Sequence, residues 1–312
     1  MSMCSTPVLS KTPVRGNMWR FRRGYRSLQV VTGYLFVLPD LVGLVIFFVI
    51  PAFLAVYLGL HEWSGVGEMQ YRGLVNFRSM LADPLFIRSL WVTFKLAIFF
   101  LPLNFFISLG LALLVQIPSR TISVFRTVYF APVAISAVSV GLIWKFMCQP
   151  HGILNVLLTS IGLPRQPLLG SMNQALPVLI STILYQSAGY FMVIFIAGLN
   201  DIPSELYEAA RVDGASWFQS FRSITLPLLK PVSLFVLVMS LLNAFQVFDQ
   251  IQILTGGGPA YATTTTVFYA YRLAFEFYKF GYGSAINFIV FLIQMVISLA
   301  MFRVMKGGQT GA

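Results

Sequence analysis

The stretch DIPSELYEAARVDGASWFQSFRSITLP, Asp201 to Pro227, lies between two long hydrophobic runs and reads as two short helices separated by a turn. Pro203 suits a first helical turn, where its missing N–H is no loss, and Glu205 and Glu208 favour the positive end of the helix dipole. Asp213-Gly214 is a stop signal, because glycine is free to take the left-handed conformation. Ser216 and Gln219 have the spacing of a capping box that opens the second helix, and Pro227 precedes the next apolar run. Ala209 and Ala210 leave a small-residue face on the first helix; Phe218 and Phe221 give the second an apolar one. Two readings are open on spacing alone. The segment docks into the groove of another protein, or it is a plain connector in which Glu208 pairs with Arg211, worth a few tenths of a kcal/mol.

What flanks the segment decides what kind of chain carries it. Hydrophobic residues make up 57% of the sequence and charged residues 10%, against about 25% charged in soluble domains. A core of this length in water cannot hide so much apolar surface, whereas lipid accommodates it. About 20 apolar residues cross a bilayer as a helix, and six runs meet that length: Tyr34–Leu60, Leu90–Val115, Val128–Met147, Leu176–Leu199, Leu228–Ile251 and Ser284–Val304. Pro39, Pro51, Pro102, Pro132 and Pro231 fall inside or at the edge of these runs, which membrane helices tolerate when neighbours satisfy the freed carbonyls. The first run is too long for a signal-peptide core and no A-x-A site follows it, so it reads as a retained helix. The expectation is an all-α, polytopic membrane protein with six transmembrane helices.

The net charge of +11 has no basic stripe interleaved with stacking aromatics, so it points to topology and not to nucleic acid. With the N-terminus inside, the cytoplasmic segments carry Lys11, Arg15, Arg20, Arg22, Arg23, Arg26, Arg120, Arg126, Arg211, Arg222, Lys230, Arg303 and Lys306. The other side carries Arg72, Arg78, Arg88, Lys145, Arg165, Arg272 and Lys279. Thirteen against seven places both termini in the cytoplasm. Lys95 and Asp40 lie near span ends and can snorkel. Cys4 and Cys148 fall on opposite sides and give neither a disulfide nor a metal site. No chain of buried carboxylates suggests proton coupling. His61 and His151 lie in outer loops, and nothing assembles a nucleophile, base and oxyanion site, so the chain is not itself an enzyme.

Glu208-Ala209-Ala210, three residues, Gly214, nine residues, Ile224, one residue, Leu226-Pro227 resembles, without a gap, the EAA loop of binding-protein-dependent ABC importer permeases. The string from Ile202 to Pro231 is similar to the carbohydrate-uptake branch, and the resemblance runs from Leu35 to Val304. It implies a type I importer transmembrane domain over residues 88–306 with its coupling loop at 201–227. Before that domain come a basic cytoplasmic tail (1–33) and a first helix with an outer loop (34–87); a short tail (307–312) follows it. It also implies an ATPase-docking role for Glu205, Glu208, Ala209, Ala210, Asp213, Gly214, Ile224, Leu226 and Pro227. Leu254-Thr-Gly-Gly-Gly-Pro259 is similar to a turn in the first permease of maltose-type transporters, although it also serves as a generic turn. No Gly-Lys-Ser/Thr follows it, so it is not a P-loop.

On the same resemblance the partners are a second homologous permease, two copies of an ABC ATPase, an extracytoplasmic solute-binding protein and a small sugar. ATP and magnesium belong to the ATPase, none to this chain, and the location is the bacterial cytoplasmic (inner) membrane. A solute path needs polar side chains within the spans. Ser240, Asn243, Gln246 and Gln250 recur on one face of the fifth span; Thr182, Gln186 and Tyr190, with Ser187 adjacent, do so in the fourth. Amides offer sugar hydroxyls both donor and acceptor, and a tyrosine ring can cover a pyranose face. The other reading of these groups is interhelical glue. Asp249 lies near the outer boundary, in a structural or gating position. The same machine with glycerol phosphate or another polyol derivative as cargo, or an ATP-independent secondary transporter, are the alternatives to a sugar importer.

Overall fold

The computed structural model describes residues 32–115 and 120–306. Most of the basic tail, Cys4 and the tail at 307–312 lie outside these residues, as do the side chains of Arg120 and Lys306. The chain divides into two compact units, Met1–Leu54 and Ala55–Ala312. The described part of the first is helix α1, Thr32–Gly59, which continues into the second unit and has a mean hydropathy of 2.8. At 1.5 Å per residue it is about 42 Å long, enough to span a hydrocarbon layer of about 30 Å. A π turn at Val45–Val49 immediately precedes Ile50 and Pro51. The wider turn gives room for the proline ring against the carbonyls before it.

In the second unit, a two-residue hairpin pairs His61–Glu62 antiparallel with Gln70–Tyr71, the only strands among the described residues. Helix α2 (Val75–Ala82) leads to α3 (Pro84–Leu114). Then come α4 (Arg120–Phe130), α5 (Ala137–Met147), α6 (Ile153–Ser160) and α7 (Ala175–Asn200). The described chain ends with α8 (Ser204–Val212), α9 (Trp217–Leu228), α10 (Lys230–Gln246), α11 (Asp249–Leu254), α12 (Thr266–Tyr271) and α13 (Phe280–Lys306). One core cluster joins Leu96, Phe100, Ile183, Phe245, Phe268 and Ile286; another joins Leu109, Ala112, Phe191, Phe195 and Val236. Helix α7 is central to both. A Cβ on its Gly189 would run into the Tyr129 carbonyl oxygen, and one on Gly198 into Val232. Small residues there let backbones approach, as expected where lipid gives no hydrophobic drive between helices.

Four of the predicted spans are continuous helices: Thr32–Gly59, Pro84–Leu114, Ala175–Asn200 and Phe280–Val304. The third and fifth differ from the expectation of single helices. Val124–Ala134 and Ala137–Met147 meet at 99°, and Trp217–Leu228 and Lys230–Gln246 at 68°. Each bent pair counts as one span to give six. At the third, Pro132 sits in a 3₁₀ turn, Ile135 is extended, and Ser136 starts a new helix by accepting from the Ser139 N–H. The fifth run, Leu228–Ile251, begins at the second of these bends, where the loop was expected to end, and is itself broken at Val247, before the short α11.

Two ends are tied by charged groups that the sequence marks only as topology signals or not at all. Arg126 donates Nε and Nη2 to the Val115 carbonyl, at 3.0 and 2.6 Å, closing the end of α3. At its start, Asp83 accepts from the Leu85 N–H at 2.9 Å and from the hydroxyls of Tyr269 and Tyr282, at 2.7 and 2.8 Å. Burial pushes the Asp83 carboxyl up, but these hydroxyls and the backbone N–H groups outweigh it and hold it below the usual range. Burial and the neighbouring carboxylate push Tyr269 well up.

Candidate coupling loop and transport path

The loop folds as its residues dictate. Helix α8 follows Pro203, which stands just before the first turn as its N-cap, with Glu205 in that turn. It ends in a Schellman motif: the Ala215 N–H reaches the Ala210 carbonyl at 2.8 Å and the Gly214 N–H reaches Arg211 at 3.1 Å. Gly214 takes φ +76°, the left-handed position this motif needs. The capping box forms, with the Ser216 N–H on Gln219 Oε1 at 2.7 Å and the Gln219 N–H on Ser216 Oγ at 3.4 Å. Tyr207 and Thr225 hydroxyls, 2.9 Å apart, clamp the two loop helices, and Trp217 stacks on Phe221 at 5.4 Å.

Glu208 and Arg211 make no ion pair; the described residues hold such pairs at Arg72–Glu62 and Arg272–Glu276. The connector reading therefore loses its one specific contact. Glu205, Glu208, Ala209, Asp213, Gly214 and Pro227 are exposed and Ala210 is half-buried. Val212, Trp217 and Phe218 are 88%, 71% and 62% exposed, a large apolar surface on a polar loop. Leu226 is exposed, while Ile224 packs on the core cluster of α7 and has a structural place. Behind the loop, a cleft of about 410 Å³ is lined by Leu113, Leu199, Tyr207, Glu208, Arg211 and Trp217, among others. It puts the loop against the ends of α3 and α7.

The polar residues of the fourth and fifth spans sort into two groups. Ser187 Oγ donates to Asn104 Oδ1 at 3.2 Å, and Asn104 Nδ2 donates to Ser240 Oγ at 2.8 Å. Asn104 and Ser240 are fully buried, so this chain joins α3, α7 and α10 as interhelical hydrogen bonding. Thr182 is also buried and bonds to the Val178 carbonyl within its own helix. Asn104 escaped the sequence reading, though an asparagine in so apolar a run was its signal.

Gln186 stands apart. Its Nε2 donates to the Ile135 carbonyl at 3.0 Å, and its Oε1 accepts from Gln250 Nε2 at 2.8 Å. One amide thus joins the break of the third span to α11, just past the break of the fifth. Both breaks converge beside Gln186, the twelfth residue of the 26-residue α7, about 17 Å from its start. Helix α11 packs close on α5 here, where Gly141 faces Ile253. Tyr190, Asn243, Gln246 and Asp249 are exposed, and among the described residues no hydrogen bond holds the side chains of Asn243 and Gln246. Because α10 stops at Gln246, Gln250 does not continue its face, contrary to the periodicity. Lipid offers amides no partners, so exposed amides beside broken helices fit a water-filled passage or a protein interface.

The Leu254–Pro259 turn is held from within. Thr255 and Thr263 hydroxyls lie 2.6 Å apart, Thr263 Oγ1 donates to the Gly258 carbonyl at 2.8 Å and Thr264 Oγ1 to the Gly257 carbonyl at 2.8 Å. Gly257 has φ +85° and no room for a Cβ beside Thr264. Gly257 thus serves packing, whereas Gly256, at φ +56° with open space around it, serves the turn's backbone.

The family model described as "binding-protein-dependent transport system inner membrane component" matches residues 104–306. Among curated relatives, the probable ABC transporter permease protein YurN of Bacillus subtilis is 38% identical over 282 residues, spanning 88% of this chain and 96% of its own. The trehalose/maltose transport system permease protein MalF of Thermococcus litoralis is 32% identical over 285 residues, spanning 90% and 95%. The solved structure of a bacterial alginate ABC transporter, in complex with an alginate pentasaccharide-bound periplasmic protein, includes a chain that superposes with a TM-score of 0.77. That chain is 26% identical, and the match covers 92% of this chain and 96% of that one. With matches that run nearly end to end, the chain belongs to the inner-membrane permeases of binding-protein-dependent ABC transport systems.

Proposed function

We infer that this chain is a permease subunit of an ATP-driven importer and forms part of the path for a sugar delivered by an extracytoplasmic binding protein. The observation that carries the cargo class is the relatedness to sugar permeases over nearly the whole chain. The site chemistry agrees with it. The amides of Asn243 and Gln246, the Gln186–Gln250 pair and the exposed Tyr190 ring offer neutral hydrogen bonds and an aromatic face, and neither residues 175–200 nor 231–251 include a lysine or arginine.

In this reading Glu205, Glu208, Ala209, Ala210, Asp213 and Gly214 present the loop to an ATPase subunit, with the apolar Val212, Trp217 and Phe218 completing the contact. Two ATPase copies bind and hydrolyse ATP with magnesium, and a second, homologous permease completes the passage. The machine sits in the cytoplasmic membrane with the loop and both termini inside. Gln186, Tyr190, Asn243 and Gln246 line the passage, while Ser187 and Ser240 hold the spans that shape it. Docked ATPases moving as rigid bodies would push the loop and, through α7 and α9, tilt the broken spans.

The test is uptake of a labelled sugar panel into proteoliposomes holding the purified transporter, with ATP inside and the binding protein outside. Sugar accumulation that needs both supports the reading. Equal uptake without ATP would make the chain a secondary transporter.

A further inference from the structure

A second cavity, about 580 Å³, opens between the starts of α3 and α7. It lies at the end of the second unit away from the loop, since Leu113 and Leu199, at the other ends of these helices, line the loop cleft. Arg88 and Lys95, two turns apart on one face of α3, both line it, and no acidic side chain does. Both side chains are exposed and neither joins an ion pair among the described residues. Lys95 lies over the Trp91 ring, 5.5 Å from its centre, so its ammonium is held over an aromatic face that also lines the cavity.

Polarity changes along the groove. Arg88 and Asn173 line it near the helix starts, while Phe99, Leu103 and Leu184 line it deeper in. From Arg88 to Leu103 is about 22 Å along the helix, against about 15 Å for half a hydrocarbon layer. A charged mouth over an apolar trough one leaflet deep is the shape of an amphiphile with an anionic head.

Transported solute is the wrong occupant. At about 100° per residue, the centre of the groove-lining residues Leu176, Pro177, Ile180, Ser181 and Leu184 lies about 150° around α7 from Gln186 and about 110° from Tyr190. The groove is on a different flank from the amides at the broken spans.

We propose that this groove binds an anionic phospholipid of the leaflet opposite the loop. Arg88 and Lys95 hold the phosphodiester, Asn173 offers a neutral hydrogen bond, and one acyl chain lies along Phe99, Leu103 and Leu184. Arg88 can meet two phosphate oxygens at once; Lys95 acts as a point charge whose stem snorkels toward the mouth.

Native mass spectrometry of the detergent-purified transporter, titrated with phosphatidylglycerol or with phosphatidylcholine of the same chains, tests this. Wild type should retain phosphatidylglycerol in preference. Arg88→Ala/Lys95→Ala should weaken that binding about thirtyfold, which is about 2 kcal/mol for two basic residues at a lipid surface, and leave phosphatidylcholine unchanged. Arg78→Ala, a charge lost outside the groove, should bind as wild type. Equal phosphatidylglycerol affinity in wild type and the double variant overturns the proposal, as does a wild type that ignores the headgroup. Cross-linking of Lys95→Cys to another subunit would give the groove to a protein helix, and also overturns it.

Discussion

Gly214 holds φ +76° with open space around its missing Cβ, so what bars a side chain there is the backbone and not crowding. Valine at that position must leave the left-handed region, at about 1–3 kcal/mol, and would open the Schellman turn that sets the angle between α8 and α9. Gly214→Val should leave membrane insertion intact and reduce substrate-stimulated ATP hydrolysis of the purified transporter about fivefold or more, the scale of a lost coupling energy. Unchanged stimulated hydrolysis would refute this. A contrast among amides follows from burial. Asn104 is buried between two serines, whereas Asn243 is exposed and free. Asn104→Leu should therefore lower thermal stability in detergent by about 1 kcal/mol while the concentration for half-maximal uptake stays put. Asn243→Ala should raise that concentration with little change in stability; an unaltered uptake curve would remove Asn243 from the path.

At the scale of elements, the loop was readable in the sequence because its signals are local. The Ser216–Gln219 box and the Gly214 turn need only neighbours within a few residues, and both form. The long spans were readable because about 20 apolar residues admit few other fates. The breaks were not. Pro132 was visible, but membrane helices often absorb a proline, and the 99° turn depends on Ser136 recapping the chain and Gln186 taking the Ile135 carbonyl. The break at Val247 has neither glycine nor proline to announce it; tertiary packing around α11 sets it. Asp83 was equally silent, since its partners are 186 and 199 residues away. It fastens the start of α3 to α12 and α13, and its carboxyl is held below the ordinary range. A depressed pKa gives stability that is present above the unfolded value, near 3.9, and lost as pH falls through the folded value. Asp83→Asn should thus melt earlier at neutral pH, by about 1–2 kcal/mol for a partly exposed site. The gap from wild type should close only below the usual carboxylate range. A gap that persisted unchanged at pH well below that range, where the carboxyl is protonated, would mean the ionised carboxylate is not what holds these helices.

For the whole molecule, charge and geometry bear separately on which way the bundle faces. Arg126 and Arg211 lie at the loop end, but Arg126 is also engaged as a cap on α3, so part of its placement is structural. Arg72, Arg78 and Arg165 lie in segments assigned to the other end, where Arg72 is paired with Glu62. The basic excess on the loop side rests heavily on the tail before residue 32, and the positive-inside rule weighs such residues near the first span strongly. The loop should therefore face the cytoplasm and the His61–Tyr71 hairpin the exterior. With Cys4 and Cys148 replaced by serine, Ser216→Cys, in the exposed capping box, should react with a membrane-impermeant maleimide only after cells are opened. Ser64→Cys, in the exposed hairpin turn, should react in intact cells. The reverse pattern would put the loop outside, beyond reach of any ATPase in the cytoplasm, and would sink the coupling role of Glu208 and Gly214 with it.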